Sequence, residues 1–170
     1  MKHVEQAVSL SRRGFLLGGA VLLAGCGGGR RRSRRALYPN ETPALRRMIE
    51  RQARANNVPV DLVQRVILRE ISHRPEARNG PYWGLMQIHP DTARTMGHRG
   101  PPEELLDPEI NLRYAVRYLR GAWIVANRNR DRAVQWYARG YYYEARDRGL
   151  LEETGRKRQL SSTSIFSLTV

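Results

Sequence analysis

The stretch "REISHRPEARNGPYWGLMQIHPDTARTMG" runs from Arg69 to Gly97 and decides how the whole chain is interpreted. An apolar helical pattern ends at its first residues, and several Gly and Pro follow, so we predict the end of a helix and then a loop-rich segment. A single carboxylate, Glu70, stands at that junction. The surroundings of this carboxylate determine whether it is structural or chemical.

Glu70 lies on the apolar face of its helix. Three apolar residues define that face: Val63, Val66 and Ile67. Helical steps of seven, four and three from them all lead to Glu70, which therefore points toward the core or into a cleft at its edge. Burial there raises the pKa of a carboxyl group, and an acid protonated near neutral pH can protonate a glycosidic oxygen. The alternatives are a structural ion pair, with Arg65, Arg69 or a more distant arginine, and a half-exposed helix end.

The remaining pattern predicts a mainly α domain. Helices are expected after Thr42, after Pro59, at Pro108 with Asp107 as its cap, at Asp131, and in a short last segment that ends at Gly149. The helix from Pro108 carries a continuous apolar stripe from Leu112 to Ala126, and Gly140 should end the helix after it. We find no alternating strand of useful length and no internal repeat.

The first residues are typical of an export signal rather than of a folded element. The segment Ser11–Cys26 has the sequence "SRRGFLLGGAVLLAGC". Its apolar part is too short to span a bilayer, and a basic region precedes that part. Arg12 and Arg13 resemble a twin-arginine export signal, and "LAGC" resembles a lipobox whose cysteine is acylated. We therefore expect a signal peptide over 1–25, a lipidated Cys26 with a Gly/Arg-rich tether over 26–41, a domain over 42–149 and a flexible tail over 150–170. A buried N-terminal helix with a core cysteine is the alternative.

Composition limits the partners. The chain has one cysteine, so no internal disulfide can form, and its net charge is +14. That charge suits a partner rich in carboxylate or phosphate, or simply reflects an arginine-rich, cationic surface. No nucleic-acid reading motif is recognisable and the export signal argues against one, so specific nucleic-acid binding is not expected. The spacing of His73, His89 and His98 suggests surface or loop residues rather than a metal site.

Four ordered motifs resemble the lytic transglycosylases of the soluble lytic transglycosylase family. They are Glu70 at a helix end followed by Pro75 and Ala77, "GLMQ" (Gly84–Gln87) followed by Pro90, Thr92 and Ala93, "NLRYAVRYL" (Asn111–Leu119), and "WYARGYY" (Trp136–Tyr142). The resemblance covers about 44–149. It implies a lysozyme-like helical domain that cleaves peptidoglycan between N-acetylmuramic acid and N-acetylglucosamine, without metal or cofactor, as a monomer on the periplasmic face of a membrane.

The resemblance also assigns roles. Glu70 would be the catalytic acid and then the base, Gly84 would let backbone approach the sugar, and Met86 would form an apolar wall near the acid. Gln87 would bind a hydroxyl or acetamide, and Tyr137 would position Glu70 through its hydroxyl. Further aromatic residues are candidates for stacking on sugar rings, with ordinary packing as the alternative: Trp83, Tyr82 and the run Tyr141–Tyr143. For Trp123 and Trp136 packing is favoured.

Two positions depart from the family pattern. Ile71 replaces the serine after the acid, and Ala138 replaces the asparagine of an "AYN" motif. Glu76 and Asp91 fall in predicted surface turns and are not expected to act as a second carboxylate. Two other functions therefore stay open: a hydrolytic muramidase on the same fold, and a catalytically weak lipoprotein that binds the wall.

Overall fold

The computed structural model describes residues 36–70 and 72–155, and the predicted signal peptide and Cys26 lie outside them. Helix α1 (Pro43–Ala55) begins as predicted, because the Thr42 side chain accepts a hydrogen bond from the N–H of Leu45 and proline occupies the first turn. Its buried face consists of Leu45, Ile49 and Ala53. None of the helices in this part of the chain is both long and apolar enough to cross a membrane.

The core forms around the long helix α4 (Pro108–Val125), and the mainly α prediction is confirmed. Asp107 caps this helix as expected by accepting hydrogen bonds from the N–H groups of Glu109 and Ile110. Helices α1 and α5 (Arg130–Arg139) pack against α4, and α2 (Val60–Glu70) packs against α1 and α5. This arrangement leaves the last turn of α2 at the edge of the core.

The segment between α2 and α4 contains more structure than the sequence predicted. A minimal hairpin pairs β1 (Arg78–Asn79) with β2 (Tyr82–Trp83) in antiparallel register. A short helix, α3 (Pro90–Thr95), and a 3-10 helix (Pro102–Leu106) follow. Both are too short for an apolar period to reveal them, and both begin at a proline.

Helix α5 begins earlier than predicted. Asp131 was expected to open it, but the cap is Asn129, whose side chain accepts from the N–H of Arg132. Gly140 ends the helix as expected, with a φ of +86° that favours glycine. The short α6 (Tyr142–Asp147) comes before Gly149.

The folded part extends beyond the predicted 42–149 at both ends. Glu41, assigned to the tether, is only 6% exposed because its carboxylate is hydrogen-bonded inside the domain. Leu151 and Thr154, assigned to the flexible tail, are buried, and the guanidinium of Arg120 donates to the carbonyl of Glu153. Residues 26–35 and 156–170 of these two segments lie outside the described residues.

Candidate active site

Glu70 is the last residue of α2 and is half-buried, as its place on the apolar face predicts. Burial raises the pKa of its carboxyl group above the ordinary value, and the positive charge of Arg69 opposes that shift only in part. Arg65, a candidate for a structural ion pair, instead pairs with Asp131. Within 36–70 and 72–155 no basic side chain forms an ion pair with Glu70. The geometry therefore favours an acid available for chemistry.

The loop Gly84–Gln87 is held by one buried side chain from α4. Asn111 is fully buried; its Oδ1 accepts from the N–H of Met86 at 2.9 Å, and its Nδ2 donates to the carbonyls of Trp83 at 2.9 Å and Leu105 at 2.8 Å. We call this set the Asn111 hub. The sequence analysis did not single out this role, although an asparagine four residues before Ala115 on a buried stripe is a readable signal.

Gly84 meets a packing requirement that the sequence did not predict. A Cβ at this position would lie 2.1 Å from the carbonyl oxygen of Leu105 and 2.4 Å from Nδ2 of Asn111, and the residue has a φ of +69°. Glycine is therefore required so that the loop can approach α4 and the 3-10 helix. Its predicted role in letting backbone approach the sugar stays a prediction.

Met86 and Tyr137 also act differently from expectation. The side chain of Met86 is completely buried, so in this structure it packs in the core rather than forming a wall open to substrate. The hydroxyl of Tyr137 donates to the carbonyl of Met86 at 2.9 Å, so its proton is not directed at Glu70. Burial, with contributions from Tyr118 and Glu70, raises the pKa of Tyr137 well above its ordinary value and keeps it neutral. Tyr137 thus holds the loop beside the acid.

Gln87 presents an acceptor at the site. It is 8% exposed, has a φ of +48°, and its Nε2 donates to the carbonyls of Gly84 at 2.8 Å and Ala77 at 3.1 Å. These bonds orient the amide, while Oε1 is buried and has no hydrogen-bond partner among the described residues. Such an oriented, unpaired acceptor fits the predicted role in binding a hydroxyl or amide.

A cleft of about 230 Å³ opens beside this loop. Its lining consists of Tyr82, Gln87, Ile88, His89, Thr92, Tyr118, Tyr137, Ala138, Arg139 and Gly140. Of the predicted site residues, Gln87 and Tyr137 line the cleft, whereas Glu70, Trp83, Gly84 and Met86 do not. Glu70 lies near enough to Tyr137 for its charge to raise the pKa of the phenol.

The aromatic residues divide into packing and exposed groups. Trp83 is 6% exposed and the guanidinium of Arg78 lies 3.8 Å from its ring centroid, so packing explains it and no open face is left for a sugar. Tyr141 is core, and its hydroxyl donates to the carbonyl of Tyr118. Trp123 is buried as favoured, and Trp136 is partly buried. Tyr82, 46% exposed, lines the cleft and keeps the predicted stacking role open.

A second buried network joins the chain before α1 to the loop after Glu70. Glu41 accepts from Arg46 Nε at 2.8 Å, from the N–H of Tyr38 at 2.9 Å and from Gln64 Nε2 at 2.7 Å, and Gln64 Oε1 lies 2.6 Å from His73 Nε2. We call this set the Glu41 chain. Glu41 also forms an ion pair with Arg46. Sequence analysis missed this network because Glu41 was assigned to the tether.

Two histidines lie in loops but are buried rather than at the surface. His73 is 1% exposed because it stacks on Tyr38 and joins the Glu41 chain, and His98 is 2% exposed against Tyr114, with Nε2 3.2 Å from Glu104. His89 is partly exposed and caps α3, its Nδ1 accepting from the N–H of Asp91. In the described residues no three His, Cys, Asp or Glu side chains are grouped as metal ligands. Glu76 and Asp91 are exposed as predicted.

Comparisons with known proteins agree with this geometry. Residues 47–158 match the family model described as the transglycosylase SLT domain. A solved structure, the complex of the 70-kDa soluble lytic transglycosylase with bulgecin A, is similar with a TM-score of 0.54 and 23% sequence identity. The similarity covers 64% of this chain but only 18% of that one, and it confirms the lysozyme-like helical fold. No curated protein matches the chain.

Proposed function

The chain belongs to the transglycosylase SLT domain family, and from this premise we propose that it is a peptidoglycan lytic transglycosylase with Glu70 as its catalytic acid and base. The observation that carries the proposal is Glu70 itself: a half-buried carboxyl at the end of α2, with a raised pKa and no ion pair to a described residue. The proposed substrate is the glycan strand of peptidoglycan, cut between N-acetylmuramic acid and N-acetylglucosamine.

One carboxyl group is sufficient for this reaction. Protonated Glu70 gives its proton to the glycosidic oxygen, the bond from that oxygen to the anomeric carbon breaks, and the N-acetylglucosamine portion leaves as an alcohol. The acetamido group of the muramyl residue supports the positive charge. Ionised Glu70 then removes the proton of the muramyl 6-hydroxyl as its oxygen bonds to the anomeric carbon, which forms a 1,6-anhydro ring. Glu70 ends protonated and no water is consumed.

The other side chains support this reaction indirectly. Burial raises the pKa of Glu70 and so favours the protonated form, which begins the cycle. Tyr137 and the Asn111 hub fix the loop through the backbone of Met86, and the loop in turn directs Gln87 Oε1. We assign Gln87 Oε1 to accept a hydrogen bond from a sugar hydroxyl or acetamide N–H. Met86 and Gly84 then contribute through loop geometry rather than by touching the sugar.

The test is replacement of Glu70 by glutamine. Glu70→Gln should lower release of 1,6-anhydromuropeptides from purified sacculi by at least about 100-fold, because the amide cannot transfer the proton. Glu76→Gln, an exposed carboxylate on the following loop, is the matched control and should keep activity. Near-normal cleavage by Glu70→Gln with an intact circular dichroism spectrum would refute the assignment. Mass analysis of the wild-type products also decides between mechanisms, since a muramidase leaves reducing ends.

The same carboxyl sets the pH dependence of the wild type. Because the pKa of Glu70 is raised, the protonated acid persists to a higher pH than for a free carboxyl, and activity should fall as pH rises through that value.

We further propose that the chain is exported and anchored to the periplasmic face of a bacterial membrane through an acylated Cys26. Support comes from the sequence of the segment that precedes the described residues. Residues 1–35 also contain eight Lys and Arg against one acidic residue, whereas 36–155 contain 19 basic and 15 acidic residues. The positive charge is thus densest beside the proposed anchor, where it favours an anionic leaflet. Cys26→Ala should abolish metabolic labelling with palmitate, and unchanged labelling would refute lipidation.

A further inference from the structure

The lining of the cleft contains basic side chains but no acidic ones. Among the ten residues that line it there is one arginine, Arg139, one histidine and no Asp or Glu. The histidine, His89, uses Nδ1 to cap α3. Arg139 is therefore the group that sets the charge of the cleft wall, and a neutral sugar alone gives no reason for a cation there.

Arg139 is held in place without being neutralised. It lies exposed in the last turn of α5, and its guanidinium carbon is 3.8 Å from the ring centroid of Trp136. Other arginines pair with acids, as Arg130 does with Asp61 at 2.7 Å. Arg139 forms no ion pair with any residue in 36–70 or 72–155. Stacking on an aromatic face fixes the plane of a guanidinium and leaves its N–H edge free to donate.

The neighbouring residue keeps that edge accessible. Ala138, exposed in the cleft, stands where the family pattern has an asparagine. The short methyl group leaves room beside Arg139 and supplies no competing hydrogen-bonding group. With alanine at 138 and an arginine without an ion pair at 139, the cleft wall here offers a cationic donor and no amide.

We infer that Arg139 binds a carboxylate of the glycan strand and so determines which strands this enzyme prefers. The inference rests on the proposed function. A planar guanidinium recognises a carboxylate through two parallel N–H···O bonds, a geometry that an isolated ammonium does not provide. Peptidoglycan offers that group in two places: the lactyl carboxylate of a muramyl residue without a peptide, and the carboxylates of the peptide stem.

The experiment compares strands with and without the charge. Purified strands with intact stems and strands stripped of stems are each used as they are and after conversion of their carboxylates to neutral methylamides. The kcat/KM for formation of anhydro ends is measured on all four. Wild type should prefer the charged form by about 3- to 10-fold, the range between an exposed and a hydrogen-bonded charge pair. A preference confined to stripped strands identifies the lactyl group, and one confined to intact strands identifies the stem.

Variants assign the preference to Arg139. Arg139→Gln should bring the ratio of charged to neutral strands to about one, and Arg139→Lys should give an intermediate ratio, since the charge remains without the fork. Arg132→Gln removes an exposed charge from the same helix outside the cleft and should keep the wild-type ratio. Far-ultraviolet circular dichroism of each variant checks folding, and a misfolded Arg139→Gln leaves Arg139→Lys to decide.

Two results separate the inference from its premise. If the wild type cleaves none of the four substrates, the proposed function fails. If it forms anhydro ends equally well on charged and neutral strands, or if Arg139→Gln keeps the preference, the function stands and the role of Arg139 is overturned.

Discussion

The Asn111 hub and the Glu41 chain both hold parts of the candidate site, but they use different chemistry. The hub is one neutral amide that meets one backbone N–H and two carbonyls, all at 2.8 to 2.9 Å. The Glu41 chain contains a carboxylate, a guanidinium and a histidine whose Nδ1 is buried without a partner among the described residues. The Asn111 hub fixes the loop Gly84–Gln87, and the Glu41 chain fixes the loop after Glu70.

This difference teaches where pH can act on the domain. A neutral, fully paired amide has the same energy at any pH near neutrality, whereas the protonation of a buried carboxylate or imidazole depends on the fold. The loop that carries Gln87 is therefore insensitive to pH, and the attachment of the segment before α1 is sensitive to it. Three substitutions test that contrast.

The largest effect is expected for Asn111→Leu. Leucine has a similar shape, but it leaves the N–H of Met86 and the carbonyl of Leu105 buried without their partner. The free energy of unfolding should fall by about 4 kcal/mol, since each unpaired buried group costs about 1–3 kcal/mol. Urea denaturation measures it, and the loss should be equal at pH 5.5 and pH 8. A loss below about 1 kcal/mol would show that the hub is not required.

A smaller, pH-dependent effect is expected for Glu41→Gln. Burial alone would raise the pKa of Glu41, but hydrogen bonds from Arg46, Tyr38 and Gln64 together outweigh it and the pKa is lowered. The carboxylate therefore stabilises the fold above its unfolded pKa of about 4.3, and this contribution is lost as pH falls through the lowered value. At pH 7 the variant should lose about 3 kcal/mol of unfolding free energy, because Arg46 loses its charged partner.

The control for this substitution is Glu50→Gln. Glu50 forms an exposed pair with Arg54 at 3.4 Å, so its loss should change the free energy of unfolding by less than about 0.5 kcal/mol. The gap between wild type and Glu41→Gln should close as acid protonates the wild-type carboxylate. A difference in unfolding free energy that stays constant down to pH 3 would show that Glu41 does not act as a charged group in the fold.

The smallest effect is expected for His73→Gln, which changes how the free energy of unfolding depends on pH. Burial lowers the pKa of His73, with opposing influence from Glu41 and a reinforcing one from Arg46. Neutral His73 makes its full contribution to the free energy of unfolding above its unfolded pKa of about 6.5. That contribution declines as pH falls from there through the lowered pKa of the folded state. In His73→Gln the decline between pH 7 and pH 5 should be shallower. Equal declines in wild type and His73→Gln would refute this role.

Sequence alone predicted the helices whose cap residues and apolar stripes lie within or next to the helix itself. Thr42, Asp107 and Gly140 act where they were placed, and Glu70 could be recognised because three apolar residues on its own helix point the same way. Family resemblance located the loop Gly84–Gln87. The contacts of those residues could not be predicted, because Gly84 and Met86 contact Asn111 and Tyr137 on other helices, and no local period records such contacts.

The buried polar residues were the harder part for the same reason. The burial of His73 could not be predicted because its partners, Gln64 and Tyr38, are brought to it only by folding. Asn129 was overlooked as a cap because Asp131, two residues later, is an equally good local candidate. Short-range rules can propose a cap or a loop, but only the packed structure chooses between competing ones.

The fit of Gly84 against Asn111 has a consequence for how this domain can vary. With less than 2.5 Å between the position of an added Cβ and both Asn111 Nδ2 and the Leu105 carbonyl, no side chain can enter at 84 unless the 3-10 helix and α4 are rebuilt together. A side chain at 84 would meet the backbone of the 3-10 helix as well as Asn111, so no change at 111 alone makes room for it. The exposed Ala138 and Arg139 lie outside this contact, so substitutions there can alter the cleft wall without disturbing the frame that holds the loop.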